Sequence, residues 1–290
     1  MTNPSISLIE LRAEQMRLTL RPDLGASICG LWCGDVAVLR STGDAAAAVL
    51  DTPRAAGGFV MAPYSNRVGF RRFRWQGQDH SIQSNFSDSP HAMHGTAWQG
   101  PWEVASQSAD AVELVFKQTA DAAWPFAFNL SQRLKLSAQG LRIDLALTST
   151  DQRPQPAGLG WHPYFAKRSR SRLHIELTDR WERDAATELP TRKVAQAGID
   201  ADVAHLDYDN CFEGWRGAAR IRDEKLSMKL SASVPYLVVF TPKDKPFYCL
   251  EPVSHVNNAV QMAEPALHGL RTVKPGETLE ASFLLEVAPL

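Results

Sequence analysis

Cysteine is scarce in this chain, which has 4 cysteines among 290 residues. Cys29 and Cys33 lie close together, but Cys211 and Cys249 do not form a second close pair. A disulfide framework or a zinc knuckle needs more cysteines in closer pairs. We therefore expect buried or half-buried free thiols, as in a protein of the reducing cytoplasm.

The chain also lacks an excess of charge and any long apolar run. Its 31 Lys and Arg residues face 32 Asp and Glu residues, which gives a formal net charge of −1. Such a balance provides no general attraction to nucleic acid or to an anionic membrane. The first residues lack the pattern of a secretion signal, and no later run has the length of a membrane span. We expect a neutral or weakly charged small molecule as the ligand, with no nucleic-acid or membrane partner.

Amphipathic helices are nearly absent as well, whereas short segments with strand chemistry recur between Gly, Pro, Asp and Asn. Residues 141–147 alternate with period two after a tight turn at 137–140, which indicates a hairpin. Residues 45–50 and 185–198 are the expected helical or irregular exceptions. The predicted strands are 16–21, 27–33, 36–39, 111–118, 129–136, 141–148, 173–177, 219–222, 226–232, 237–241, 247–251 and 279–287.

This series of strands has no composition break, flexible linker or internal repeat. Antiparallel strands in such numbers bury their apolar faces by packing two sheets together. The sequence therefore predicts an all-β fold, a large antiparallel β-sandwich, with residues 1–290 in one domain.

Glu251 is the most unusual candidate for a functional residue. It is the one carboxylate of an apolar strand, directly before Pro252, which we expect to end the strand pairing. The alternative is a glutamate at an exposed strand end or one paired with an arginine. His162 precedes Pro163, so we expect an extended backbone and a ring fixed on the sheet surface, although a structural histidine is the alternative.

Two further motifs place polar side chains beside glycine and aromatic residues. His91 and His94 lie three apart, a spacing that could hold a metal if His162 or Glu251 completed the set, but no ligand set closes and we expect no metal. The motif at residues 62–69 contains Asn66 and Arg67, which either fix ligand hydroxyl groups or neutralise a buried acid.

These motifs, taken in order, resemble the aldose 1-epimerase (galactose mutarotase) family over nearly the whole chain. The order of six blocks carries the resemblance, because each block alone is a weak signal. The resemblance implies the large antiparallel sandwich of the galactose mutarotase-like supersandwich, with a sugar site on a concave sheet. The blocks are Asn66-Arg67, Met93-His94-Gly95, the Trp161 to Phe165 stretch, Asp209-Asn210-Cys211-Phe212, Leu250-Glu251-Pro252 and the Leu270 to Glu277 stretch.

The resemblance also implies roles for individual residues. Glu251 would be the general base and His162 the general acid. Asp207 lies two residues before Asp209 and would share its strand face, so either carboxylate fits the third holding position. The substrate-holding groups implied are His94, Arg67 and Asp209, with Asn66 as a helper.

The implied activity is mutarotation, the interconversion of the α and β anomers of a free aldose. A proton must leave the anomeric hydroxyl while another reaches the ring oxygen, so an acid and a base act together. No redox step is involved, and we therefore expect no cofactor. The expected partner is a small-molecule aldose, and the chain is expected to be a monomer or a homodimer.

Three other functions fit parts of the sequence. A non-catalytic carbohydrate-binding sandwich would keep the aromatic and polar residues but needs no acid–base pair. A glycoside hydrolase would use Glu251 and Asp209 as its two carboxylates. A mutarotase of phosphorylated sugars would use the basic cluster of Arg67, Arg71, Arg72 and Arg74. On an alternating strand, however, Arg72 and Arg74 face one way and Arg71 the other, and we favour a solvated edge-strand surface.

Overall fold

Short antiparallel strands make up most of the computed structural model, which describes residues 8–290. The alternation of apolar and polar residues that predicts strands is the alternation of buried and exposed side chains along them. In chain order the strands are β1 (Ile9–Ala13), β2 (Met16–Arg21), β3 (Ser27–Cys33), β4 (Val36–Ala37), β5 (Gly58–Met61), β6 (Arg67–Val68), β7 (Arg72–Trp75), β8 (Gln78–Ser81), β9 (Ala92–Met93), β10 (Glu103–Gln107), β11 (Ala111–Gln118), β12 (Phe128–Ser137), β13 (Gly140–Ser149), β14 (Gln155–Ala157), β15 (Gly160–Ala166), β16 (Arg172–Ile175), β17 (Asp179–Arg183), β18 (Pro190–Ala195), β19 (Ile199–Asp202), β20 (Asp209–Glu213), β21 (Ala218–Arg222), β22 (Leu226–Ala232), β23 (Tyr236–Phe240), β24 (Phe247–Val253), β25 (Arg271–Val273) and β26 (Thr278–Pro289).

Helical structure is confined to short turns. The α-helix α1 spans Asp44–Ala47. Within residues 8–290, no helix has both the length and the apolar character needed to cross a bilayer. The 3₁₀ turns are Pro53–Ala55, Gly69–Arg71, Val203–His205, Ala259–Gln261 and Pro265–His268.

Two large sheets form the sandwich. An 11-stranded sheet has the order β1-β2-β3-β5-β15-β24-β23-β20-β17-β18, with β4 attached to β3. A 9-stranded sheet has the order β10-β11-β12-β13-β26-β22-β21-β16-β19. The ladders are antiparallel in both sheets, which confirms the predicted all-β, antiparallel fold. Three two-stranded ribbons complete the described chain: β14-β25, β6-β9 and β7-β8.

The core lies between the inner faces of the two sheets. In β12, Leu130 and Leu134 are fully buried while Asn129 and Arg133 point outward, because successive side chains alternate between the faces. One buried cluster contains side chains from both sheets, and burying this apolar surface drives the sheets together.

The central strands of the larger sheet are buried on both faces. β5, β15 and β24 contain only buried residues apart from their ends, whereas β12 buries one face only. One face of each central strand packs into the core. The other face is covered by the segments around residues 66 and 94, which border a cavity there. A polar side chain on that covered face is therefore withdrawn from bulk water.

Most predicted strands are confirmed, with small differences at their ends. Residues 16–21, 27–33, 111–118 and 226–232 are strands with the predicted bounds. The region 45–50 overlaps α1, as expected. The region 185–198 was expected to lack strands and contains β18 over Pro190–Ala195, whose alternation of half-buried and exposed residues was too weak to detect. The free thiols are confirmed, since all four cysteines are buried and unpaired.

Trp161 and Phe283 join the two sheets beneath the covered face. Trp161 of β15 is 1% exposed and its ring centroid lies 6.2 Å from that of Phe283 in β26, which is also 1% exposed. Replacing Phe283 by alanine leaves a cavity that the surrounding strands only partly fill. We expect Phe283→Ala to lower the free energy of unfolding by about 3–5 kcal/mol, measured by urea denaturation.

The matched control is Val104→Ala on the edge strand β10, where the side chain is 45% exposed. This change should alter stability by no more than about 0.5 kcal/mol. Equal effects of the two substitutions would show that the contact between β15 and β26 contributes nothing special to the sandwich.

Candidate active site

His162 and Glu251 lie opposite each other on neighbouring antiparallel strands. Gly160 of β15 pairs with Val253 of β24, two residues before His162 and two residues after Glu251, so the same register sets the two polar residues side by side. His162 Nε2 lies 3.4 Å from Glu251 Oε1, and the two side chains are 8% and 3% exposed. Directly opposite residues in an antiparallel pair interact most closely through their side chains.

A proline follows each of these two residues. Pro163 and Pro252 cannot donate a backbone hydrogen bond, and the β15–β24 ladder is interrupted over this stretch. On its other side Pro252 stays in register with Leu237 of β23, and β24 continues to Val253. The prediction that Pro252 ends the pairing is therefore wrong for β23. The ladder with β23 continues through Pro252 to Val253, and only the ladder with β15 is interrupted at this point.

Aromatic rings pack around the His162 ring. The Tyr164 ring stacks on it, with ring centroids 4.6 Å apart, and the Phe59 ring packs against it at 4.8 Å in a tilted arrangement. The centroids of Tyr164 and Phe59 are 6.2 Å apart, so these two rings do not lie on opposite faces of the imidazole. The guanidinium of Arg40 lies 3.9 Å from the ring centroid of Tyr164, and Trp98 stacks on Phe59 at 5.2 Å. These contacts restrict the orientation of the imidazole beside Glu251.

Burial moves the pKa values of the pair toward the neutral forms. Desolvation, reinforced by the nearby charge of Arg40, lowers the pKa of His162 to about 3. Desolvation, reinforced by Asp209 and opposed by Arg67, raises the pKa of Glu251 well above its usual range. Both directions favour a neutral carboxyl group facing a neutral imidazole at rest, whereas the roles implied for a general base and a general acid need an ionised Glu251 and a protonated His162.

Two polar atoms of the pair have no protein partner within residues 8–290. Glu251 Oε2 and His162 Nδ1 are both buried and make no hydrogen bond to the described chain. Buried polar atoms in proteins are nearly always paired, and exceptions mark functional positions. Since both side chains line the cavity, a ligand with hydroxyl groups can satisfy polar atoms of this pair.

Arg67 is the centre of a polar network on the cavity wall. Its Nη1 donates to Asn66 Oδ1 at 3.1 Å, and its Nη2 donates to Glu188 Oε2 at 2.9 Å. Asp209 Oδ2 lies 3.8 Å from Arg67 Nη2 and accepts a hydrogen bond from Arg183 Nη1 at 2.8 Å. Arg67 Nε is buried without a partner in the described chain. Asn66 thus positions Arg67, while the acidic residues balance its charge.

His94 is held by the backbone of Asn66. The Asn66 N–H donates to His94 Nδ1 at 3.3 Å, and the His94 N–H donates to the Asn66 carbonyl at 2.8 Å. Both residues have positive φ, 54° and 60°, a conformation that side chains other than glycine rarely adopt. Gly95 follows with φ 76°, where a Cβ would lie 1.9 Å from the Ala62 carbonyl oxygen, so glycine is required.

The geometry also fixes how His94 is protonated. Burial, with the charges of His162 and Arg67, lowers the pKa of His94 well below its usual range, so the ring is neutral. Nδ1 accepts from the Asn66 N–H and also lies 2.9 Å from Met61 Sδ, and the bond from Asn66 favours the neutral tautomer with its proton on Nε2. The ring lies 5.0 Å from that of His162 and nearly perpendicular to it. His94 can therefore donate one hydrogen bond into the cavity.

All six sequence candidates line one cavity of about 280 Å³. This volume lies just below the roughly 300–1,000 Å³ range of ligand sites. The aromatic residues that border the cavity in the described chain are phenylalanines and a tyrosine besides the two histidines. The lining residues are Arg54, Phe59, Asn66, Arg67, Phe86, Met93, His94, His162, Tyr164, Asp209, Phe240, Lys245, Phe247 and Glu251.

Of the two aspartate candidates, Asp209 borders the cavity and Asp207 does not. Asp209 borders the cavity in register with Phe240, whereas Asp207 is 69% exposed and pairs with Lys243 at 3.0 Å. His91 does not join the site either. Its Nδ1 accepts from the Phe70 N–H at 2.8 Å and its Nε2 lies 2.7 Å from the Thr187 carbonyl oxygen, which is a structural role.

The basic cluster proposed for a phosphate lies elsewhere. Arg71, Arg72 and Arg74 are exposed, and Arg74 pairs with Asp79 across the β7–β8 hairpin at 2.8 Å. None of these three borders the cavity that contains Glu251. The solvated-surface interpretation of this segment is therefore correct.

Sequence reasoning missed several residues of the site. Glu188 lies in the β17–β18 hairpin and has no recognisable motif around it, so its contact with Arg67 had no sequence signal. Cys249, which lies beside the site but does not border the cavity, was detectable because it lies two residues before Glu251 and shares its strand face. Phe59 pairs with His162 across β5 and β15, a neighbour that only strand register reveals.

Fold and site together define a class: a β-sandwich protein with a buried carboxyl–imidazole pair on the covered face of its larger sheet. The chain matches the Aldose 1-epimerase family model over residues 7–286. The chain belongs to this family.

Individual relatives agree with that assignment. The chain is 29% identical over 281 residues to YphB of Escherichia coli K12, a protein without an assigned function, covering 91% of this chain and 93% of YphB. A solved structure from the same organism, with a provisional aldose 1-epimerase assignment, has a TM-score of 0.87 at 27% identity and covers 98% of this chain and 100% of that one. A galactose mutarotase-like protein of Clostridium acetobutylicum has the same fold, with a TM-score of 0.84 at 20% identity over 99% of this chain and 100% of that one.

The raised pKa of Glu251 has a consequence for stability. In the unfolded chain the carboxyl group ionises above about pH 4.5, whereas in the folded chain it stays protonated to higher pH, so stability is lost as pH rises. Glu251→Gln removes this loss. We expect the variant to gain at least about 1 kcal/mol over the wild type at pH 8, and less at pH 5, since one pKa unit corresponds to about 1.4 kcal/mol.

Denaturant unfolding at the two pH values measures this difference. The control is Glu280→Gln, which removes an exposed carboxylate from β26 and should shift stability by similar small amounts at both pH values. A Glu251→Gln variant that is less stable than the wild type at pH 8 would mean that Glu251 is ionised in the folded protein.

Proposed function

We propose that this protein is a mutarotase, which interconverts the α and β anomers of a free aldose by opening and reclosing the sugar ring. The observation that carries the proposal is the 3.4 Å separation of His162 Nε2 and Glu251 Oε1, with both side chains lining one small cavity. Anomer exchange needs one group that takes a proton and one that gives a proton, both within reach of the same hemiacetal. Membership of the aldose 1-epimerase family supports the same reaction.

The proton transfers follow from the protonation of the pair. The pair holds one proton, which resides either on Glu251 or, with Glu251 ionised, as the second proton of His162. In the ion-pair form Glu251 takes the proton of the anomeric hydroxyl while His162 gives its proton to the ring oxygen, which breaks the bond between that oxygen and C1. The products are an open-chain aldehyde, a neutral carboxyl group and a neutral imidazole.

This end state is the form that burial favours. Because desolvation disfavours both charges, converting the ion pair to two neutral groups lowers the free energy of the site. This conversion accompanies ring opening. After rotation about the C1–C2 bond, the reverse transfers close the ring on the other face of the aldehyde. Mutarotation proceeds unaided in water, so the roughly 10²–10⁴-fold typical of one positioned acid or base is a sufficient contribution.

The remaining residues hold the sugar. His94 donates from Nε2, and Arg67 and Asp209 offer a donor and an acceptor in the same cavity, with Asn66 keeping Arg67 in place. Phe240 and Phe247 border the same cavity and can cover the C–H face of a pyranose. No step uses a redox change, so the proposed reaction needs no cofactor.

Two alternatives from other classes are tested by the same assays. A hydrolase that uses Asp209 as its second carboxylate is disfavoured because Asp209 accepts a hydrogen bond from Arg183 and lies near Arg67.

A phosphorylated aldose is favoured by one observation, that Arg54 and Lys245 border the cavity, although each is paired with an aspartate. Faster conversion of a phosphorylated than of the matching free aldose would make the sugar phosphate the substrate.

Substitutions at Glu251 and His162 test the proposed proton transfers. Glu251→Gln keeps the size of the side chain but cannot take a proton, and His162→Asn removes the acid, so each should lower kcat by roughly 10²–10⁴-fold. The effect on KM should be smaller. Polarimetry on freshly dissolved single anomers, across a panel of aldoses, measures both constants.

Activity of the folded Glu251→Gln protein near the wild-type level, on every sugar that the wild type accelerates, would eliminate Glu251 as the base. A wild type that binds sugars without accelerating any of them would support the carbohydrate-binding alternative instead.

The pH dependence of kcat/KM tests the protonation of the Glu251–His162 pair. The pair gains a second proton only near the lowered pKa of His162, about 3, and loses its one proton only near the raised pKa of Glu251. The active one-proton state therefore extends well below the ordinary pKa of histidine, and kcat/KM should fall by less than about threefold as the pH drops from 7 to 5. A narrow bell within this interval, centred on the ordinary pKa of histidine, would show that His162 titrates as a solvated group.

A further inference from the structure

Cys249 has no part in the proposed reaction, yet it lies beside the reacting pair. It precedes Glu251 by two residues on the same face of β24, and it pairs in register with Tyr164 of β15. One ligand atom each of His162, Cys249 and Glu251 lies within 4.8 Å of the other two, and all three residues are buried. An imidazole nitrogen, a thiol sulfur and a carboxylate oxygen thus converge on one point.

These three donors match the preferences of a borderline-soft divalent ion. Zn²⁺ binds His nitrogen and carboxylate oxygen at about 2.0–2.2 Å and Cys sulfur at about 2.3 Å, so two such ligands of a tetrahedral ion lie roughly 3.3–3.8 Å apart. The separation between His162 Nε2 and Glu251 Oε1 is 3.4 Å, already one edge of such a tetrahedron. The sulfur needs to move by about 1 Å or less to complete the face.

We propose that His162, Cys249 and Glu251 form an inhibitory binding site for Zn²⁺ and similar thiophilic divalent ions. The ion would occupy the lone pairs that the mutarotase reaction uses, so the inhibition rests on the proposed function, whereas the binding does not. Two of the three ligands line the cavity, which leaves the fourth coordination position toward the side from which sugar enters. Metal and sugar therefore exclude each other.

The surroundings favour this ion over harder ones. Tyr164 and Phe59 pack against the His162 ring and restrict the direction of its Nε2 lone pair. Mg²⁺ demands an octahedral set of oxygen ligands and keeps several waters, which a buried N, S and O set does not provide. On binding Zn²⁺, the thiol and the carboxyl group release their protons to solvent, and no other bond changes.

Inhibition and binding are measured on the full-length, chelator-treated protein. Zn²⁺ should inhibit mutarotation competitively with the aldose, raising apparent KM at constant kcat, and a chelator should restore the rate. Mg²⁺ at the same concentrations should have no effect. Co²⁺ should produce the near-ultraviolet absorption band of a sulfur–cobalt bond, an optical signal that requires no catalysis.

Cys249→Ala and Cys249→Ser test the assignment of the sulfur. Each should keep kcat within about threefold of the wild type, while the inhibition constant for Zn²⁺ rises at least about tenfold and the Co²⁺ band disappears. The serine variant retains the size of the side chain, which guards against a packing defect in the alanine variant. Cys29→Ala removes another fully buried thiol that is not part of the group and should leave inhibition and band unchanged.

The outcomes separate the two proposals. Mutarotation without zinc inhibition and without a cobalt band would overturn the metal site and leave the mutarotase intact. A cobalt band that depends on Cys249, in a protein that converts no aldose, would support the metal site and remove the proposed function. Zinc inhibition that is equally strong in wild type and in both Cys249 variants would assign the metal to other ligands and end this proposal.

Discussion

Desolvation of one carboxyl–imidazole pair is the constraint on which the rest of this structure depends. Placing Glu251 and His162 where water has little access makes their charges costly, and the low pKa of one and the high pKa of the other both follow from this burial. Their Nε2 and Oε1 atoms lie 3.4 Å apart. A site of this kind resists ionisation at rest, so forming the ion pair costs free energy that the proton transfers of ring opening would release again.

The fold supplies this environment through strand register. Only the central strands of a wide sheet are covered on both faces, and β15 and β24 are neighbours at that centre. Their register sets the acid and the base opposite each other, and the prolines that follow them interrupt the ladder between the two strands. Side chains, rather than backbone hydrogen bonds, then make the contact between the strands at this point. The Trp161–Phe283 contact on the reverse side anchors the same strand to the second sheet.

The charged groups around the Glu251–His162 pair are themselves paired with neighbouring polar side chains. Arg67 is largely satisfied by Asn66 and Glu188, and Asp209 by Arg183, so these groups are oriented before any ligand arrives. Such preorganisation reduces the reorganisation needed on binding. Asn66 and His94 have positive φ, and such local backbone strain is tolerated where it orients functional side chains.

The sequence by itself determined the all-β class, most strand positions and the identity of the polar residues, because alternation and isolated polar groups in apolar strands are local signals. It did not determine the protonation of Glu251 and His162, the place of Glu188 beside Arg67, or the stack that holds the imidazole. Those depend on which strands become neighbours and how deeply they are covered. The segment 185–198 and the continuation of β24 past Pro252 were misjudged for the same reason, since pairing partners distant in sequence override local preference. Tertiary structure alone decided the electrostatics of the site, because desolvation arises from atoms contributed by the whole sandwich.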